Sequence, residues 1–183
     1  MMACLLHLSA AGASIEAPDP ELRAILQQTV NDQSVFADRF DGEVWLVDMS
    51  GRLSKFLKDP YERLNFLRLV HQESMRAEID PELVLAVIQI ESRFDRFAIS
   101  SVGAQGLMQV MPFWKDEIGR PDDNLTNMAT NLRYGCTILK HYLKKERGNL
   151  TRALARYNGS LGKTWYSEKV LDAWQKYWFF DRT

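Results

Sequence analysis

DPELVLAVIQIESRF, residues 80–94, is the stretch from which the rest of the chain can be read. Asp80 stands where a side chain can cap free backbone N–H groups, and Pro81 suits the first helical position, where no N–H is needed. From Leu83 to Ile88, and again at Ile90, almost every residue is apolar, so the helix has no face for water. A helix that is apolar all round belongs inside a core. Other elements must therefore surround it.

Working outward, Asp59-Pro60 repeats the start signal before YERLNFLRLVHQESMRAE, with Leu64, Leu67 and Val70 along one side. Leu22, Ile25, Leu26 and Val30 mark another amphipathic stripe at helical spacing. Downstream of the core helix, Gly103 and Gly106 make SSVGAQGLMQVMP loop-like, with a small hairpin expected around residues 99–110. A long helix follows from near Asn127 to Arg147, ended by Gly148. Another starts at an Asn149 cap, runs through LTRALARYN and stops at Gly159. Trp165 to Trp178 places Val170, Leu171, Trp174 and Trp178 on one face. The fold class is mainly α.

A chain of 183 residues can bury a core without metal or disulfide staples. Hydrophobic residues at 46% and charged residues at 26% describe an ordinary globular composition. The net charge of −1 offers no bulk attraction to nucleic acid or anionic lipid, and Lys144-Lys145 is the main run of adjacent basic residues. No nucleic-acid partner is expected. Charges interrupt the apolar runs beyond the N-terminus, so no stable membrane span is expected either. His7, His71 and His141 lie apart from one another and from Cys or acid clusters, which argues against a zinc site. Cys136, on an apolar helix face, reads as a small hydrophobe.

Met1 to Ala17 reads MMACLLHLSAAGASIEA, apolar and rich in small residues, with Ala-x-Ala-like ends at Ala11-Gly12-Ala13 and near Ala17. It is similar to the apolar region and cleavage zone of an export signal that lacks its basic start. Residues 1–17 are therefore expected to be a truncated signal. An exported, periplasmic or cell-envelope location follows.

Glu91 closes the core helix, where burial and the negative end of the helix dipole both disfavour the charged form. A carboxyl kept protonated near neutral pH suits a general acid. Read from the residues alone, the favoured expectation is that Glu91 faces solvent or pairs with Arg93 or Arg96, because buried helices often finish with a charged residue.

From Ile79 to Pro112 the sequence resembles the lysozyme-like SLT domain of the family-one lytic transglycosylases. The resemblance is carried by Glu91-Ser92, Ser100, Gly103-Ala104, Gly106-Leu107-Met108-Gln109 and Pro112, then by Ala155-Arg156-Tyr157-Asn158. After Asn158 the chain departs from the family's Tyr-Asn-Ala-Gly and continues Gly159-Ser160-Leu161-Gly162. The resemblance implies a lysozyme-like helical domain over residues 80–183, with residues 18–79 as an N-terminal helical extension. It implies Glu91 as the catalytic acid and then base, with Tyr157 packed near it to hold it. Ser100, Met108, Gln109, Asn158 and Tyr166 would bind the glycan, and no cofactor is needed.

The implied reaction cuts the bond after N-acetylmuramic acid in peptidoglycan and closes the C6 hydroxyl onto C1. Ordinary glycosidases use two carboxylates about 5 Å or about 6.5–9.5 Å apart. Asp95, Asp116, Glu117, Asp122 and Asp123 have weaker claims than Glu91, whereas an intramolecular nucleophile needs only one acid. Two alternatives stay open. One is a lysozyme-type hydrolase on the same fold. The other is a non-catalytic glycan-binding module, for which Trp45 and Trp114 are the better aromatic candidates. The extension could lengthen the groove, control access, or dock to cell-wall or secretion machinery.

Overall fold

The computed structural model describes residues 39–180. The segment read as a signal and the stripe at Leu22, Ile25, Leu26 and Val30 lie outside the described residues. Among those described, seven α-helices and one π-helical turn account for the regular structure, in agreement with a mainly α class. They are α1 (Arg39–Leu53), α2 (Pro60–Ala77), α3 (Pro81–Glu91), α4 (Trp114–Ile118), α5 (Met128–Lys145), α6 (Leu150–Tyr157) and α7 (Trp165–Ala173). The π-helical turn Trp174–Trp178 continues from α7.

α3 is the central element, as its composition demands. Every residue from Pro81 to Ile88 is buried. α2 packs on α3 and α5, α5 packs on α6, and α7 with the π-helical turn packs on α3. At the start of α2, Asp59 accepts from the Glu62 N–H at 2.8 Å. Asp80 occupies the equivalent position before α3 but makes no side-chain cap bond, so there the proline supplies the local start signal. Asn127 and Asn149 cap α5 and α6 through their side chains.

The tryptophan stripe resolves into different environments. Trp178 is fully buried and its indole donates to Gln89 at 2.6 Å, while Trp165 is 46% exposed. Trp45, considered for sugar stacking, is buried and donates to Oε1 of buried Glu82 at 2.8 Å. It ties α1 to α3. Cys136 is buried, and burial pushes its thiol up to about 12, which leaves it an inert packing group. The expected hairpin region is two isolated antiparallel bridges, Ile99 with Gln105 and Gln105 with Val110, inside a compact loop.

Candidate active site

The end of α3 is built by an abrupt change of direction. After Glu91 and Ser92, Arg93 and Phe94 both adopt left-handed backbone, with φ of 53° and 70°. Two consecutive non-glycine residues in this region cost on the order of 1–3 kcal/mol each and persist only where packing enforces them. The packing here is aromatic. Phe94 is buried against Phe56, Trp178 and Phe66, with ring centroids at 4.6, 5.4 and 5.9 Å. The turn is thereby pinned to α1–α2 and to the C-terminal turn, which fixes where α3 stops.

Glu91 sits at that stop, half-buried. Oε1 accepts from the Tyr166 hydroxyl at 2.5 Å. Burial raises the Glu91 pKa from 4.5 to about 7, while the Tyr166 hydrogen bond acts in the opposite direction. The desolvation of an acid without a cation beside it outweighs a single hydrogen bond. Tyr166 is buried, and its own pKa lies well above 10.0 through burial and the Glu91 charge. It therefore stays a donor at any ordinary pH.

Tyr157, expected to hold Glu91, makes a different bond. Its hydroxyl donates to the Met108 carbonyl at 2.7 Å, joining the end of α6 to the loop after α3. It remains near enough for the Glu91 charge to raise its pKa. Holding the carboxyl falls to Tyr166 instead, because α7 runs directly against α3.

The loop from Ser100 to Val110 has an organiser that sequence reading passed over. Asn131, on α5 and 1% exposed, accepts from the Met108 N–H at 2.8 Å. Its amide donates to the carbonyls of Gln105 and Leu125, each at 2.8 Å. One side chain thus satisfies three backbone groups, two of them on the loop. Gly106, at φ 75°, passes so close to this amide that a Cβ would lie 2.5 Å from Asn131 Nδ2 and 2.4 Å from the Leu125 carbonyl. Nothing in the polar residue itself, one among several on an amphipathic helix, marks such a role.

The remaining predicted residues are placed as follows. Ser100 Oγ accepts from the Ala104 N–H at 3.0 Å, closing a turn. Gln109 has φ of 48°, and its amide donates to the carbonyls of Gly106 at 2.9 Å and Ala98 at 3.2 Å. Met108 is fully buried, so its side chain packs rather than facing a groove; a Cβ on Gly135 would lie 2.3 Å from its sulfur. Asn158 is exposed at the C-cap of α6. Among the described residues no group of three or more His, Cys, Asp or Glu could hold a metal ion.

One half-buried acid, raised to about 7, is held by a tyrosine, and a second tyrosine that feels its charge is bonded to the glycine-bearing loop. A family model for the transglycosylase SLT domain matches residues 68–177. The chain belongs to this family. The match begins inside α2 and ends in the π-helical turn, so α1 lies before it.

The chain is similar to membrane-bound lytic murein transglycosylase C of Mannheimia succiniciproducens, with 39% identity over 83 residues, 40% of this chain and 23% of that protein. It is similar to membrane-bound lytic murein transglycosylase F of Desulfosudis oleivorans at 33% over 115 residues, 60% of this chain and 25% of the relative. A transglycosylase of Enterobacteria phage PRD1 is 30% identical over 107 residues, covering 58% of this chain and 39% of the phage protein. The matches thus span well under half the length of these relatives. Among solved structures, an inactive mutant of lytic transglycosylase Slt from Pseudomonas aeruginosa aligns at 22% identity and a TM-score of 0.48 over 89% of this chain and 34% of that one. No helix among the described residues is long and apolar enough to cross a membrane.

Proposed function

We propose that this SLT-domain protein is a peptidoglycan lytic transglycosylase of the cell envelope, working on glycan strands in the periplasm. The observation that carries the reading is the placement of Glu91, half-buried at the end of α3 with Oε1 accepting from the Tyr166 hydroxyl; burial raises its pKa to about 7, which suits an acid working near neutral pH. Glu91 delivers its proton to the glycosidic oxygen as the bond from C1 of N-acetylmuramic acid to that oxygen breaks. The sugar's acetamido group stabilises the positive charge left at C1. Glu91, now charged and steadied by the Tyr166 hydroxyl, takes the proton of the C6 hydroxyl as O6 bonds to C1. The carboxyl ends as it began, and no water enters.

Ring closure by a tethered hydroxyl has the advantage of proximity, which removes the need for a second carboxylate to activate water. Tyr157 acts through the loop, fixing the Met108 carbonyl. Ser100, Gln109 and Asn158 border the glycan, with the Gln109 amide held by the carbonyls of Ala98 and Gly106, while buried Tyr166 acts from behind through Glu91. Met108 contributes by packing under the loop. The test is digestion of purified peptidoglycan by the wild type and by Glu91→Gln. The reading expects soluble fragments from the wild type and a loss of at least about 10³-fold in the variant. Comparable release by both proteins would refute it.

A further inference from the structure

Along the side of α3, just before Glu91, two cavities of about 520 and 640 Å³ share Gln89, Ile90, Lys169 and Tyr177 and so form one groove. α7 and the π-helical turn bring Lys169 and Lys176 to it. The α1–α2 connection and the turn after α3 bring Lys55 and Arg93 to its far end. Among these lining residues four are cationic, and Asp172 is the single carboxylate.

None of the four cations is engaged in an ion pair among the described residues. The three lysines lie over ring faces instead. The Lys55 amine lies 4.6 Å from the Tyr177 ring centroid, and that of Lys176 lies 5.2 Å from it. The Lys169 amine lies 5.3 Å from the Trp165 ring centroid. Such contacts stabilise a cation without neutralising it. In a chain of net charge −1, this concave wall is a local concentration of positive charge that attracts anions.

The groove's position narrows the choice of anion. Ile90, which lines it, immediately precedes Glu91 on α3, and Lys169, which also lines it, lies one helical turn beyond Tyr166 on α7, so the groove adjoins the acid along two elements without being lined by it. A glycan strand cut at Glu91 has no free charge on its sugars once the muramoyl lactyl group is amide-linked to peptide. The peptide itself carries free carboxylates.

We propose that this groove binds the carboxylates of the stem peptide on the strand being cut, through Lys55, Arg93, Lys169 and Lys176. The proposal rests on the peptidoglycan reading above and adds a peptide-recognising site to it. Lys55 comes from the segment that precedes the matched SLT residues, so the extension contributes directly to substrate choice.

The test uses the full chain and a synthetic stem tetrapeptide without sugar, followed by two-dimensional NMR. No bond is cut in this measurement, so failure of the transglycosylase reading would show separately, in the digestion assay. Saturable shifts should appear at groove residues. Affinity should fall about tenfold in Lys55→Gln/Lys169→Gln, and similarly when the peptide carboxylates are amidated. Both lysines are exposed, so the double variant should keep its thermal midpoint; Lys169→Gln alone, with an intermediate loss, gives a second reading. Absence of shifts, or shifts indifferent to amidation and to the substitutions, would overturn the proposal. So would lysine-dependent binding to phosphatidylglycerol vesicles without any response to the peptide.

Discussion

The Tyr166 hydroxyl donates to Oε1 of Glu91 across 2.5 Å, joining α7 to the end of α3 at the point where the chain reverses. The two residues are 75 positions apart, and the bond opposes the effect of burial on the acid. Burial alone favours a carboxyl that never gives up its proton. The tyrosine keeps the charged form within reach, as the proposed role of Glu91 as acid and then base requires.

Tyr166→Phe removes the contribution that lowers the Glu91 pKa and leaves the desolvation in place. The acid then titrates above about 7, so the alkaline limb of the pH–rate profile moves to higher pH. The proton is also given up less readily, and kcat should fall on the order of tenfold to a hundredfold. A pH–rate profile of fragment release checks both effects. An unshifted alkaline limb would count against the bond's role.

The same acid makes stability depend on pH. Folded Glu91 holds its proton up to about 7, against an ordinary value of 4.5. Between those values the native state binds more protons than the unfolded chain, so stability falls as pH rises through this window. The loss attributable to Glu91 is at most about 3.5 kcal/mol, at about 1.4 kcal/mol per unit of pKa. Denaturant unfolding at about pH 5 and about pH 8 should show this loss in the wild type relative to Glu91→Gln, whose side chain does not titrate.

Asn131→Ala leaves the Met108 N–H and the carbonyls of Gln105 and Leu125 without their partner. A buried backbone group left unsatisfied costs about 1–3 kcal/mol, so the substitution should destabilise the protein by more than a single lost hydrogen bond. Faster amide exchange from Gln105 to Met108, measured by NMR, would locate the damage in the loop. A change spread evenly over all helices would point to general loosening.

Phe94→Ala removes the ring that pins the left-handed turn after α3. The expected cost is about 3–5 kcal/mol, as for other buried aromatic truncations. Because Glu91 lies three residues earlier, activity should fall even at temperatures where the variant remains folded. Thermal unfolding and fragment release measured side by side will separate the two effects.

Much of the scaffold was legible in sequence because local chemistry announced it. Asp-Pro starts, asparagine caps and a helix without a polar face identify α2, α3, α5 and α6 from their own residues. Glu91 was legible as a candidate because it closes the most apolar helix, but the residues alone also fitted an acid facing solvent, and the family resemblance singled it out. α1 was harder to read because Gly42 and Gly51 interrupt a stretch with no clean stripe. Which tyrosine holds Glu91 depends on how α6 and α7 cross α3, a tertiary fact that spacing along the chain does not encode. Trp45 offered two readings, sugar stacking and packing; its bond to Glu82, another polar residue within the core, decides for packing. The cationic groove was hidden because its four charges lie between Lys55 and Lys176, so no basic run appears in the sequence.

Cleavage by Glu91 with intramolecular closure, as proposed, leaves a signature in the products. Mass spectrometry of the fragments released from purified peptidoglycan, with Glu91→Gln alongside, reads it. Anhydro-muropeptides, one water lighter than hydrolysis products, should be made by the wild type and be absent with the variant. Reducing-end products from the wild type would contradict the proposal and make the protein a lysozyme-type hydrolase using the same acid. Strand binding with no release by the wild type would contradict it more deeply, leaving a glycan-binding module.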